Sequence, residues 1–538
     1  MRLEYVTMTT LFLILIAVVI LANIWLNAVS SRIGIPALLA FMVLGMLFAN
    51  NGLWQVRFDN YDFAKETCTV GLIFIMFYGG FCTRWKAVKP VVRESALLAS
   101  AGVVVTAALV GVFCHFALRW TWLESMLFGS VMSSTDAASV FSILRSRRLG
   151  LKNNAAPMLE MESGSNDPAA YTLTTILLSV MNGTSSAGMV AWNIFAQIAF
   201  GAGCGLLIAK LAALGLRKID FGSDASGSLF IFAVAVASYA VPSLIGGNGY
   251  LSAYIVGIIL GNEEFSRKKS TVSFFDGITG LAQMLIFFLL GLLARPTLLH
   301  KAVLPALAIF LFMTLAARPA AVFGILAPFR KYSVRMQTLV SFVGLRGVAS
   351  IVFAIMAMVD PAFLHNDIFN IVFMVVLLSI TIQGSLIPLV AKKLDMVDPH
   401  ADVMKTFSDY SDDSGMSFGR ISVTAGSTWA GKAIRDLGLP RAALLVLVLR
   451  GDEKIQPGGS TVLLPGDEVI MLTRGFEDSV TSLKERTIKA DSRFAGKPLS
   501  EFHDKGLVVL VRRGEQNIIP NGGTVLESGD RLVILNLM

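Results

Sequence analysis

Apolar residues in this chain come in long unbroken runs rather than in the short alternations of a soluble fold. A bilayer helix needs about 20 apolar residues, fewer where it is broken or shielded by protein. On that measure the pattern predicts thirteen membrane spans, near 8–29, 35–49, 66–82, 94–118, 121–144, 157–181, 189–216, 227–244, 247–261, 271–294, 302–325, 337–359 and 367–394. Polar residues interrupt three of them and predict broken helix there. Span five carries Met132-Ser-Ser-Thr-Asp136, and span twelve carries Gly344-Leu-Arg-Gly347. Span six carries Met158 to Tyr171, with Glu160, Glu162 and Asp167. Backbone groups freed at bilayer depth survive only where they line a cavity or pack in protein. Spans five and twelve each sit in the middle of a group of three, four to six and eleven to thirteen, and the two groups start on opposite sides. That layout is an inverted repeat whose interrupted helices cross at the midplane, a transporter arrangement. The expected fold class is an all-α polytopic membrane protein carrying small cytoplasmic α+β domains.

The pattern changes after Lys393. The expected division is a transmembrane domain over 1–394, a polar and acidic linker over 395–417, and two tail units, 418–475 and 476–538. The tail repeats itself: Trp429-Ala-Gly-Lys432 returns as Phe494-Ala-Gly-Lys497, and Arg450-Gly-Asp452 as Arg513-Gly-Glu515. Pro457 returns as Pro520, and Gly466-Asp467 as Gly529-Asp530. Ala443–Leu449, Glu468–Thr473, Leu507–Val511 and Arg531–Leu535 read as buried strands bounded by turn residues.

Composition agrees with the membrane reading: 55% of the 538 residues are hydrophobic and only 15% charged. The net charge of +8 would suit nucleic acid, but the basic residues lie in turns between apolar spans, where topology explains them. One set of alternate loops holds Arg84, Lys86, Lys89 and Arg93, then Arg145, Arg147, Arg148 and Lys152, and further clusters around Arg267 and Arg330. The other set holds only Arg2, Arg57, Lys65, Arg119, Arg295 and Lys301. Positive residues favour the cytoplasm, which places the N-terminus outside, in the periplasm of an inner-membrane protein, and the C-terminus inside. The first apolar span lacks a small-residue cleavage site and reads as a retained helix. Cys68, Cys82, Cys114 and Cys204 show no metal or redox spacing and read as buried thiols. The five histidines fall at span ends or in the tail and read as surface groups. Gly246-Gly-Asn-Gly249 follows no strand, so it is no nucleotide loop. No nucleophile–base set, metal cluster or cofactor motif appears, so an enzyme is not expected.

Asp167 and Asp136 are the chemical candidates. An ionisable group at bilayer depth is costly and usually lines a pathway or has a partner. Burial disfavours the charged carboxylate, so such a group holds either a proton or a cation, and the two compete. Thr135 and Ser163 offer oxygens that suit a hard alkali cation. The bland alternative is that these acids are structural, held by Arg346 or Arg318. A guanidinium cannot shuttle protons, so Arg346 is expected as a permanent counter-charge for Glu162 or Glu160. The two glutamates face different directions on a helix, and Glu162, four residues before Asn166, is the one expected in the network.

Ser133-Ser-Thr-Asp-Ala-Ala-Ser-Val-Phe-Ser-Ile-Leu144, Glu160-Met-Glu-Ser-Gly-Ser-Asn-Asp-Pro168 and Gly344-Leu-Arg-Gly347 resemble the monovalent cation–proton antiporters of the NhaP type. The nearest likeness is to the potassium–proton branch also called cell volume regulation protein A. The tail resembles the C-terminal ligand-binding module of potassium-conductance regulators (RCK-C, or TrkA-C), here twice. The resemblance implies an NhaA-like fold and a homodimer in which a core domain moves against a dimerisation domain. Asp167 would bind K+ or Na+, or the proton, with Ser163, Thr135 and Asp136 at the crossover. Asn166, Glu162 and Arg346 would form the supporting network. Asn166 before Asp167, instead of a second acid, looks like the electroneutral members. Relatives often have an acid just before the glycine pair that is Gly79-Gly80 here, where this chain has Tyr78. By analogy the tail would take a nucleotide or cyclic dinucleotide. A ligand-gated cation channel is the competing reading, but no filter loop lies between two spans.

Overall fold

The computed structural model describes the chain from residue 37 to 398 apart from short gaps, a few positions before it, and most of 416–537. The expected first span, 8–29, and the linker beyond 398 lie almost wholly outside the described residues, as do Gly451, Asp452, Gly514, Glu515 and Pro520. Two compact units result, Met1–Tyr410 and Ser411–Met538.

In the first unit six helices among the described residues are long and apolar enough to cross a membrane: Trp85–Leu118, Ala187–Lys218, Ala225–Leu244, Ser270–Leu293, Leu299–Leu326 and Ile368–Lys393. Leu38–Phe48, Gly249–Gly261 and Val348–Val359 are shorter apolar helices. Small residues let these helices approach closely, as membrane packing requires. A Cβ on Gly80, Gly257 or Gly261 would collide with backbone of the facing helix, so Tyr61–Cys82 and Gly249–Gly261 lie backbone to backbone. Gly45 and Gly291 do the same for Ala37–Phe48 against Lys268–Leu293. Cys68, Cys82 and Cys114 are buried, and Cys204 is half-buried.

Two expected breaks are present. The helix Trp122–Val131 stops, Met132 and Ser133 turn, three further non-helical residues follow, and Ala137–Ser146 begins. Likewise Val334–Phe342 stops before Val348–Val359. The third expected break is absent: Ala155–Met181 runs as one helix with Pro168 inside it. Pro168 lacks an N–H and crowds the preceding turn, which membrane helices tolerate where neighbours pack around them. Its carbonyl accepts from Asn248 Nδ2 at 2.8 Å and from Thr172 Oγ1 at 3.0 Å. Asn248, in the glycine-rich stretch, thus packs against this helix.

Gly150–Leu151 pairs with Val397–Asp398 as a two-stranded antiparallel clasp, reinforced by Lys152–Asp395 at 2.8 Å. It ties the end of the last helix to the segment that enters Ala155–Met181.

Among its described residues the tail unit holds two four-stranded sheets of identical order. The expected strands are present as Ala443–Arg450, Glu468–Arg474, Leu507–Arg513 and Arg531–Leu537. Among the described tail residues there are strands and short 3₁₀ turns but no α-helix, where α+β units were expected. The internal repeat is structural: Arg450 binds Asp467 and Arg513 binds Asp530 through the same paired bonds.

Candidate ion-binding site

The two breaks meet. The Asp136 N–H donates to the Leu345 carbonyl at 2.8 Å, and the Arg346 guanidinium donates to the carbonyls of Met132 and Ser134, the latter at 2.6 Å. Backbone freed by one broken helix is therefore satisfied by the other. The glycines flanking Arg346 follow from this. A Cβ on Gly347 would strike the Asp136 carboxylate, and one on Gly344 would lie 2.8 Å from Arg318 Nε.

Charges match the helix ends. Asp136 sits at the N-terminus of Ala137–Ser146, where a negative charge is favourable. It accepts from the Ser139 N–H at 3.1 Å and the Ser139 hydroxyl at 2.5 Å. Arg346 sits against carbonyls just beyond the C-terminus of Trp122–Val131, where a cation is favourable.

The helix Ala155–Met181 supplies two polar stripes. Glu162 and Asn166, one turn apart, point into the bundle and are each 1% exposed. Asn166 Nδ2 donates to Thr135 Oγ1 at 2.6 Å. Glu162 pairs with Arg318 at 2.6 Å. The expected partner, Arg346, spends its guanidinium on carbonyls instead. Arg318, on the neighbouring helix, is the counter-charge. The other stripe is Glu160, Ser163, Gly164 and Asp167, spaced i, i+3, i+4, i+7 and so on one face. All four line one cavity, together with Thr135, Asp136, Gly79, Tyr254 and Gln283.

Asp167 is 9% exposed at this cavity and accepts a hydrogen bond from the Ser134 hydroxyl. Ser163 Oγ donates to the Thr135 carbonyl at 2.6 Å and accepts from the Ala137 N–H at 2.8 Å, so it holds the break open. Its remaining lone pair is the one available to a ligand.

All seven expected residues, Asp167, Ser163, Thr135, Asp136, Asn166, Glu162 and Arg346, therefore meet at the crossover. Sequence reasoning passed over Ser134 and set Glu160 aside. The stripe spacing was the available signal for Glu160. The adjacency of Ser134 to Thr135 carried none. Tyr78, which stands before the glycine pair, turns away, its hydroxyl 3.4 Å from Asp276.

Residues 14–393 match the family described as sodium/hydrogen exchanger, transmembrane, and residues 418–474 and 483–535 each match the TrkA-C domain. The chain belongs to the sodium/hydrogen exchanger family and is a multi-pass membrane protein with two TrkA-C domains in its tail. It is 32% identical over 481 residues to the K(+)/H(+) antiporter NhaP2 of Shewanella sp. (strain MR-4), covering 88% of this chain and 82% of that one. It is 32% identical over 468 residues to the K(+)/H(+) antiporter NhaP of Alkalimonas amylolytica, covering 86% and 81%. Among solved structures, the sodium proton antiporter MjNhaP1 from Methanocaldococcus jannaschii has the same fold, with a TM-score of 0.62 at 24% identity, over 71% of this chain and 99% of that one.

Proposed function

We propose that the protein is a secondary antiporter that exchanges K+ for H+ across the inner membrane, with Na+ as the alternative cation. The observation that carries the reading is Asp167: one carboxylate on a cavity wall beside two crossed broken helices, with hydroxyl and carbonyl oxygens around it. A carboxylate there cannot hold a cation and a proton together, and that exclusion is what couples the two fluxes. Thr135, Ser163 and Asp136 would complete the cation's oxygen shell, since alkali cations want oxygen ligands. Asn166, Glu162 and Arg346 would keep the crossover in shape. Relatives named as K(+)/H(+) antiporters support K+ over Na+.

The finer reading has thirteen crossings, a periplasmic N-terminus and a cytoplasmic tail. Exchange is one for one and electroneutral. Access alternates by an elevator-type movement of the core, within a homodimer embedded in lipid. The tail regulates this, through a nucleotide or cyclic dinucleotide.

The test is proton flux in proteoliposomes given K+, Na+, Li+ and Rb+ gradients in turn, with the membrane potential clamped. Electroneutral exchange runs at the same rate with the clamp as without it. Large cation currents without proton movement would instead support a ligand-gated channel.

A further inference from the structure

Glu160 has no part in the network just described, yet it lines the same cavity as Asp167. It lies seven residues earlier on the same helix face, about 10 Å along the axis. Between them the stripe offers only Ser163 and Gly164. Gly164 is forced to be small, because a Cβ would collide with the Tyr254 ring. The Tyr254 ring therefore packs on the wall between Glu160 and Asp167, and all three line the one cavity. One carboxylate oxygen of Glu160 is buried and has no hydrogen-bond partner. A buried, unpartnered carboxylate oxygen is expensive and calls for an explanation. Thr83 and Arg84, at the end of Tyr61–Cys82, act on it from one side, and Tyr254 faces it from another.

We propose that Glu160 is a further cation-binding carboxylate of this cavity, apart from Asp167 and Asp136, one that holds an alkali cation on its way between the Arg84 end and Asp167. This rests on the antiport reading given above. Asp167 is the group whose occupancy is exchanged. Glu160 raises the local cation concentration, and the bound cation is the partner that its bare oxygen otherwise lacks. A unit charge about 10 Å away, at an effective dielectric near 20, changes cation affinity on the order of tenfold.

The experiment uses full-length protein in proteoliposomes and measures exchange against K+ concentration for wild type, Glu160→Gln and Glu160→Asp. Glu160→Gln is expected to keep exchange while its KM for K+ rises about tenfold, and Glu160→Asp to recover most of the affinity. An unchanged KM in Glu160→Gln overturns the proposal. If Glu160→Gln does not exchange at all, the K+ concentration giving half-maximal thermal stabilisation in detergent decides. A raised value supports the proposal and an unchanged value overturns it. Absence of exchange in the wild type would refute the antiport reading itself, so the two failures are distinguishable.

Discussion

The N–H of Asp136 donates to the carbonyl of Leu345 at 2.8 Å, across the two interrupted helices. This single bond, between residues more than two hundred positions apart, marks where the structure places irregular backbone at membrane depth. It also explains Gly347, where an added Cβ would strike the Asp136 carboxylate.

Gly347→Ala should therefore push Asp136 off its place at the start of Ala137–Ser146. Overpacking of this kind costs about 1–3 kcal/mol. The expected outcome is a lower melting temperature in detergent together with loss of exchange. Gly203→Ala, where a Cβ would meet nothing within 4 Å, should leave both unchanged.

Glu162→Gln should be more damaging to stability than to any single contact at the cavity. It leaves the Arg318 guanidinium, 5% exposed, as an unmatched buried charge. Breaking a buried pair costs about 3–5 kcal/mol. The double variant Glu162→Gln with Arg318→Met should regain much of that loss. Thermal melts of the two single variants and the double one give the coupling directly, and additive losses would contradict the pairing.

The tail should weaken in acid. The Arg450 hydrogen bonds hold the Asp467 carboxyl below the usual carboxylate range. For Asp530, burial works upward, but the Arg513 bonds and the Glu527 N–H bring it lower on balance. A carboxyl depressed in the folded state stabilises the fold above its unfolded value, near pH 3.9, and that contribution is lost as pH falls through the folded value. Hydrogen exchange in strands Ala443–Arg450 and Leu507–Arg513 of the full-length protein should speed up below about pH 4 and change little from that cause between about pH 5 and 8. Arg450→Gln should remove the acid sensitivity only from the tail sheet that contains Ala443–Arg450.

The clasp of Gly150–Leu151 with Val397–Asp398 joins the last membrane helix to the segment leading into the Asp167 helix. Val397→Pro fixes φ at about −65° and so disfavours the extended backbone that this pairing needs. If the tail acts through this clasp, the variant should still exchange but respond no longer to deletion of residues 411–538. Exchange rates of the four combinations check this, and an undiminished response to the deletion would place the coupling elsewhere.

Much of this was legible in the sequence because lipid leaves few options. Hydrophobic runs set the helices, and Ser-Ser-Thr-Asp136 and Gly-Leu-Arg-Gly347 could sit at that depth only as satisfied irregular backbone. Pro168 misled because a membrane helix tolerates an internal proline where neighbours pack around it, which no window on the helix reveals. Arg346 and Arg318 were exchanged because charge alone does not say which cation reaches Glu162 and which reaches bare carbonyls. Glu160 was set aside by asking which face Asn166 shares, when Asp167 was the residue whose face mattered. The repeat in the tail was plain because identical ion pairs require identical spacing.

The central claim is that one carboxylate serves both ions. The direct measurement is proton flux driven by a K+ gradient in proteoliposomes bearing Asp167→Asn, with folding verified by detergent melting and by oligomer size. The account predicts no exchange from this folded variant. Wild-type exchange from it would contradict the account.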